Sequence, residues 1–303
     1  MPADSKDSWN SASEGYAPFE AFTGQFTRAA CVELPDLLPE TSGTVRIMDV
    51  AAGTGASTFA LGKQMSDHCR QARRTAAIVA TDFSDVMLKT LMQKFNATAA
   101  DSEVAATQAA AKEGVLELTS QVADAQDLSA FADGTFSAIT CTFGIMFPPS
   151  PEKVVREFWR LLMPGGVAVV TTWHYNNIPY DILPDIAHVF KGHSRFKDLP
   201  MAAATHKFGQ ECYIRRLFRG DLDSGPKLWK DSDLSARFVA GSSVCLPQHL
   251  AAMMNKNPLS SDLGDWDEAA VEKYLQDHWT GENGQIILRG TALVLVARKT
   301  KSE

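Results

Sequence analysis

Residues 45–58, Val45-Arg46-Ile47-Met48-Asp49-Val50-Ala51-Ala52-Gly53-Thr54-Gly55-Ala56-Ser57-Thr58, constrain the fold more than any other stretch. Val45, Ile47 and Val50 suit a parallel strand buried on both faces. Gly53 and Gly55 follow directly, and glycine takes positive φ and admits a ligand against bare backbone. Ser57 and Thr58 fall where a helix N-terminus leaves N–H groups free. Strand, glycine turn and helix in that order belong to an open α/β sheet, which binds ligands at the carboxyl ends of its strands.

The downstream pattern repeats this unit. Ala76–Thr81 reads as a second strand ending at Asp82. Ser84 then caps a helix carrying Leu88, Leu91, Met92 and Phe95 at helical spacing. The Ala-rich stretch 97–112 extends or follows that helix. Strand three is expected near 115–122 and leads into Asp124-Ala125-Gln126-Asp127. Strand four, 136–143, follows the Asp133-Gly134 turn. Ser150 and Pro151 open a helix with Val154, Val155, Phe158, Trp159 and Leu162 as its buried stripe, and Pro164-Gly165-Gly166 stops it. Strand five is 167–172. Strands alternating with helices imply a parallel sheet covered on both faces.

The flanks are less regular. Tyr16, Phe19, Phe22 and Phe26 lie at three- and four-residue spacing, as on one helix face. That face either packs on the domain or lids a small-molecule site. Residues 1–14 read as polar and loose. Residues 176–232 read as an inserted helical cap. Beyond it come a strand at 235–246, helices at 250–255 and 267–279, and a last strand at 286–298 split by Gly290. The 303 residues then make a single domain: N-terminal lid 1–40, ligand-binding core 41–175, cap 176–232, and 233–303 completing the sheet.

Charge and cysteine usage narrow the function. The net charge is −7 with no dense Lys/Arg run, which argues against nucleic acid. The five cysteines are scattered, with no Cys-x-x-Cys pair, so neither a disulfide framework nor a zinc knuckle is indicated. His188, His193, His206, His249 and His278 have no metal-ligand spacing, so no metal is expected. No apolar run reaches the ~20 residues of a membrane helix, and no apolar signal core opens the sequence. The expectation is a cytoplasmic protein acting on a small molecule, its oligomeric state unspecified.

A glycine turn alone does not choose a ligand. No Gly-Lys-Ser/Thr follows, which removes a phosphate loop. Ser57 and Thr58 stand where a dinucleotide fold needs its third glycine. Asp82 suits a ribose in either a nucleotide or S-adenosylmethionine. At the end of strand three, Asp124 can accept from an exocyclic amine while the Ala125 N–H meets a ring nitrogen, which is adenine recognition at the sheet edge.

In this order, Asp49…Gly53-x-Gly55, Thr81-Asp82-Phe83-Ser84, Asp124-Ala125 and Pro151-Glu152-Lys153…Leu162-Met163-Pro164-Gly165-Gly166 resemble the class I S-adenosylmethionine-dependent methyltransferases, nearest the ubiquinone/menaquinone branch. The resemblance spans roughly residues 16–175. Thr172-Trp173-His174, Asn177-Ile178-Pro179 and Glu282-Asn283-Gly284-Gln285 are fainter, similar to fungal gliotoxin-type small-molecule methyltransferases of secondary metabolism. The resemblance implies a Rossmann-like, doubly wound seven-stranded sheet of order 3-2-1-4-5-7-6, its last strand antiparallel. It implies that Ala51, Gly53 and Gly55 pass beneath the methionine part of the cofactor and that Asp49 holds that turn and helps order the ammonium group. By the same resemblance Asp82 takes the ribose hydroxyls, Phe83 packs on adenine, Asp124 and Ala125 read its edge, and Thr142 and Phe143 line the methionine end. Ala51 departs from the family's usual glycine.

Methyl transfer from a sulfonium is an in-line displacement, so the protein mainly aligns the partners. A base is needed only for a protonated nucleophile. His174 and Tyr16 are the candidates. Phe19, Phe22, Met146, Phe147, Trp173 and His174 are the expected acceptor wall, with Trp173 offering a π face. The acceptor atom would be N, O or S of an aromatic or heterocyclic metabolite. Two other readings stay open: an elimination or rearrangement at the same bound sulfonium, and a non-catalytic cofactor-binding module.

Overall fold

The computed structural model describes residues 6, 9–10, 17–40, 43–99, 101–174, 182, 185–186, 188–190, 207–256 and 267–300, with backbone only at 17–19 and 253–256. Helices α1 (Ala17–Cys31) and α2 (Leu34–Leu37) precede β1 (Val45–Val50). Next come α3 (Ala56–Ala72), β2 (Ala76–Asp82), α4 (Asp85–Asn96), α5 (Ser102–Lys112), β3 (Leu116–Val122), β4 (Phe136–Thr142), α6 (Pro151–Leu161) and β5 (Leu162–Trp173). The second half adds α7 (Glu211–Arg219), β6 (Leu234–Cys245), α8 (Pro247–Lys256), α9 (Glu268–His278) and β7 (Ile286–Arg298).

The strands form one seven-stranded sheet in the order β3-β2-β1-β4-β5-β7-β6. The first five run parallel, with Ile47 beside Ile78 and Asp49 beside Thr140. β7 runs antiparallel to both β5 and β6. The sheet is therefore the doubly wound Rossmann-like one expected, with its antiparallel β7. Both faces are packed. Met48, Val50, Ala168 and Val170 face a core shared with Phe22, Phe26, Phe158 and Phe218. Val45, Ile47, Val167 and Val169 face a second core under α3, α4 and α5. Strands buried on both faces read as continuous apolar runs for this reason.

Local chemistry sets the helix ends. Ser84 is extended and its hydroxyl accepts the Met87 N–H at 3.1 Å, starting α4. Asp101 accepts from Glu103 and Val104, so α5 is a new helix and not an extension of α4. Pro151 opens α6, but the Ser150 hydroxyl makes no cap bond, and its N–H donates to Gln126 Oε1 instead.

Two expectations change. β5 begins at Leu162, not Val167, because Leu162 pairs with Phe136 across a register shift. Pro164-Gly165-Gly166 ends the helix yet stays in the sheet: the Gly165 N–H donates to the Lys299 carbonyl and the Lys299 N–H to Gly166. A side chain at Gly166 would lie 2.9 Å from the Met163 carbonyl. Second, Gly290 does not split β7, because it pairs with Gly241 of β6. Within the stretch expected as a cap, Trp229 meets Trp159 of α6 edge-on at 4.8 Å and packs against Phe218, while Asp185 accepts from Tyr274 and Trp279. Among the described residues no helix is long and apolar enough to cross a membrane.

Candidate functional site

The strand order reverses between β1 and β4, and a cleft of about 890 Å³ opens at their carboxyl ends. Open α/β sheets bind ligands at such a switch point. The turn after β1 forms its floor. Ala51 and Gly53 lie there at φ 54° and 56°, and Gly55 follows at 101°. A Cβ on Gly55 would sit 2.6 Å from the Phe59 ring. A Cβ on Gly53 would meet nothing within 4 Å, since it would project into the cleft. Ala51 tolerates its left-handed backbone with help from Gly144, whose own Cβ would fall 2.4 Å from that of Ala51.

Two buried carboxylates support this turn. Asp49 is fully buried beneath it. One oxygen accepts the Ser57 and Thr58 hydroxyls at 2.6 and 2.7 Å, and the other accepts Thr140 at 2.8 Å. Burial pushes its pKa up, and the three hydroxyl donors oppose that rise. Asp82, at the end of β2, accepts the Gly53 N–H at 2.9 Å and the Ser84 N–H at 2.9 Å. Burial pushes Asp82 up to about 6; the N–H groups of Ser84, Gly53 and Phe83 pull it back, and the Asp49 charge adds to the rise. Charged groups lining the described cleft are Asp82 and Asp124, both acidic. A cleft so built favours a cationic ligand.

Asp124 follows β3 and is held by Gln126, whose backbone N–H donates at 2.9 Å and whose side-chain amide reaches both oxygens. Phe83 and Ala125 line the same side. Across the cleft, Thr142 and Phe143 end β4. Phe143 is left-handed at φ 58°, its N–H shared between the Thr171 carbonyl at 3.0 Å and the Thr171 hydroxyl at 3.1 Å. Non-glycine residues held this way cost of order 1–3 kcal/mol and cluster at functional sites.

The structure thus brings Ala51, Gly53, Asp82, Phe83, Asp124, Ala125, Thr142, Phe143 and Phe147 together around one cleft. Gly55 shapes the turn and Asp49 underlies it. Other expected residues go elsewhere. Trp173, expected to offer a stacking face, is itself stacked on by Phe143 at 4.0 Å and by Phe22 at 5.5 Å. Trp173 and Phe22 are core residues for that reason, and Met146 is buried off the wall. His174 lies beyond the wall, edge-on to Phe238 at 4.9 Å, and burial lowers its pKa. Tyr16 and the Phe19 side chain lie outside the described residues.

The sequence pattern misses Trp9, which lines the cleft and meets Phe147 edge-on at 5.0 Å. The expectation of a loose 1–14 segment is corrected at its described positions: Lys6 pairs with Asp85 at 3.0 Å and the Ser84 hydroxyl donates to Asn10. A lone tryptophan in a polar stretch has no periodicity to flag it. Met87, Cys141, Ile145, Pro148 and Val154 complete an apolar side. Burial and the Asp49 charge hold the Cys141 thiol protonated. Among the described residues no cluster of three His, Cys, Asp or Glu could hold a metal ion.

The methyltransferase-domain family model matches residues 48–170. The chain is 34% identical over 134 residues to a demethylmenaquinone methyltransferase of Clavibacter sepedonicus, covering 44% of this chain and 43% of that protein. It is 29% identical over 165 residues to the ubiquinone/menaquinone biosynthesis C-methyltransferase UbiE of Geotalea daltonii, covering 51% and 61%. The chain thus spans about half the length of these curated relatives. Among solved structures, the YcgJ protein of Bacillus subtilis superposes with a TM-score of 0.51 at 13% identity, covering 92% of this chain and 100% of that one, which speaks to the fold alone. The likeness to methyltransferases is thus carried by residues 48–170, the stretch that the methyltransferase-domain model matches.

Proposed function

We propose that this chain transfers a methyl group from S-adenosylmethionine to a small acceptor. The observation carrying this reading is the cleft floor: an open Cβ position at Gly53, beside the buried Asp82 carboxylate that already holds the Gly53 N–H. The donor set fits the cofactor. Asp82 keeps lone pairs for ribose hydroxyls, and Asp124 with the Ala125 N–H can pair with an adenine edge. Phe83 offers a ring to adenine, and Ala51, Thr142 and Phe143 border the methionine end. The cleft's acidic balance suits a sulfonium and an ammonium group. When bound, the sulfonium supplies an electrophilic methyl.

The chain's own part is then to align the acceptor and exclude water. Trp9, Phe147, Pro148 and Ile145 give the acceptor an apolar, partly aromatic wall. That wall supports a flat aromatic or heterocyclic acceptor methylated at N, O or S. The relatives' names, a demethylmenaquinone methyltransferase and a C-methyltransferase, add carbon to that set. His174 and Tyr16 stand as the candidate bases, and the position of His174 off the wall argues for a small part.

The test is calorimetric titration of the purified chain with S-adenosylhomocysteine, followed by S-adenosylhomocysteine release with panels of phenols, quinols, thiols and heterocyclic amines. Saturable cofactor binding and release with at least one flat acceptor are expected. Binding without release across the whole panel would overturn the methyltransferase reading.

A further inference from the structure

Helix α1 grips both walls of the cleft without itself lining it. Glu20, in its first turn, accepts the Thr54 hydroxyl at 2.8 Å. Lys94 of α4 donates to both Glu20 oxygens, at 2.9 and 2.7 Å. This end of α1 is thereby tied to the glycine turn, the near wall.

Phe22, two residues on, faces the sheet and is fully buried. It lies parallel to Trp173 with ring centres 5.5 Å apart, while Phe26 meets Trp173 edge-on at 5.3 Å. Trp173 in turn stacks on Phe143 at 4.0 Å, and Phe143 is in the far wall. The helix is seated closely. A Cβ on Gly241 would lie 2.3 Å from Gln25 and 3.0 Å from Phe26, and Arg237 donates to the Ala29 carbonyl at 2.8 Å.

We infer that α1 is a clamp coupling the two walls: Glu20–Thr54 and Phe22–Trp173–Phe143 are positioning contacts that hold Gly53 and Phe143 in register. Each wall has a non-glycine residue in left-handed backbone to maintain, Ala51 beside Gly53 at φ 54° and Phe143 at φ 58°. The two contacts lie two residues apart on one helix, so a shift at one wall is transmitted to the other. A local packing role for either contact would disturb its own wall only. The inference deepens the reaction proposed above, since it takes the clamped cleft as the cofactor site.

The test compares Thr54→Val, Phe22→Leu and the double variant, using the full chain. Amide hydrogen exchange without ligand reads the coupling directly. Thr54→Val should speed exchange at 143–147 and Phe22→Leu at 53–59, each by about fivefold or more, as a local opening across the cleft requires. Affinity for S-adenosylhomocysteine should fall about tenfold in each single variant. In the double variant it should fall within about threefold of the weaker single one, because coupled contacts are not additive. Exchange confined to the mutated wall, or penalties that multiply, would overturn the clamp. If Phe22→Leu does not fold, Trp173→Phe shortens the same stack and is read the same way. If the native chain does not bind S-adenosylhomocysteine, the proposed function fails while exchange still decides the clamp.

Discussion

At the scale of single residues, Ala51 and Gly144 form a matched pair. Ala51 occupies a left-handed backbone that costs alanine roughly 1 kcal/mol relative to glycine, and its methyl fills the space beside Gly144. Ala51→Gly should be neutral to stabilising by up to about 1 kcal/mol, and Gly144→Ala destabilising by roughly 1–3 kcal/mol through overpacking. The double variant should recover most of that loss in urea unfolding. Asp82 links pH to both stability and binding. Its folded pKa of about 6 lies above the usual carboxylate value of 3.8. The folded state therefore takes up a proton first as pH falls, so this group's stability contribution is full at low pH and is lost as pH rises through about 6. Cofactor binding runs the other way, because ribose hydroxyls and a cation need the carboxylate. Affinity for S-adenosylhomocysteine should drop about tenfold per pH unit below about 6, and Asp82→Asn should flatten that profile. His174→Phe should change kcat less than about threefold, since its ring packs outside the wall.

At the scale of elements, the question is which segment meets the acceptor. The aromatic stripe of α1 has the period of a packed helix face, and the structure uses Phe22 and Phe26 in that way. The apolar side of the cleft takes its ring from Trp9 instead. Trp9→Ala should raise the acceptor KM severalfold and leave S-adenosylhomocysteine affinity nearly unchanged, measured by steady-state kinetics beside calorimetry. Thr140 joins β4 to Asp49 of β1 by a buried hydroxyl. Thr140→Val removes one of three donors from a buried carboxylate and should cost about 1–3 kcal/mol in chemical unfolding.

For the whole molecule, the sheet is what makes separate turns into one site. The turns after β1, β2, β3 and β4 lie far apart in sequence and side by side at one edge. A ligand bridging them should stabilise the entire domain: at a hundredfold excess over Kd, S-adenosylhomocysteine should add about 2.7 kcal/mol, seen as a rise of several degrees in Tm.

The sheet order came with the family resemblance, whereas the parallel strands, the glycine turn and the acidic ends of β2 and β3 were legible in the residues themselves. Each is written locally, as continuous apolar runs, positive-φ glycines and a polar residue closing a strand. The start of β5 at Leu162 was hidden, because Pro164-Gly165-Gly166 stops a helix and yet pairs with β7, a partner more than a hundred residues away. Trp9 and Trp173 are the sharper lesson. The sequence by itself determined the alternating strands and helices and the glycine turn, since period and turn chemistry are properties of adjacent residues. Only the tertiary structure decided that Trp173 is enclosed by Phe22 and Phe143 while Trp9 faces the cleft. Which ring is covered depends on packing between distant elements, and no local pattern encodes that.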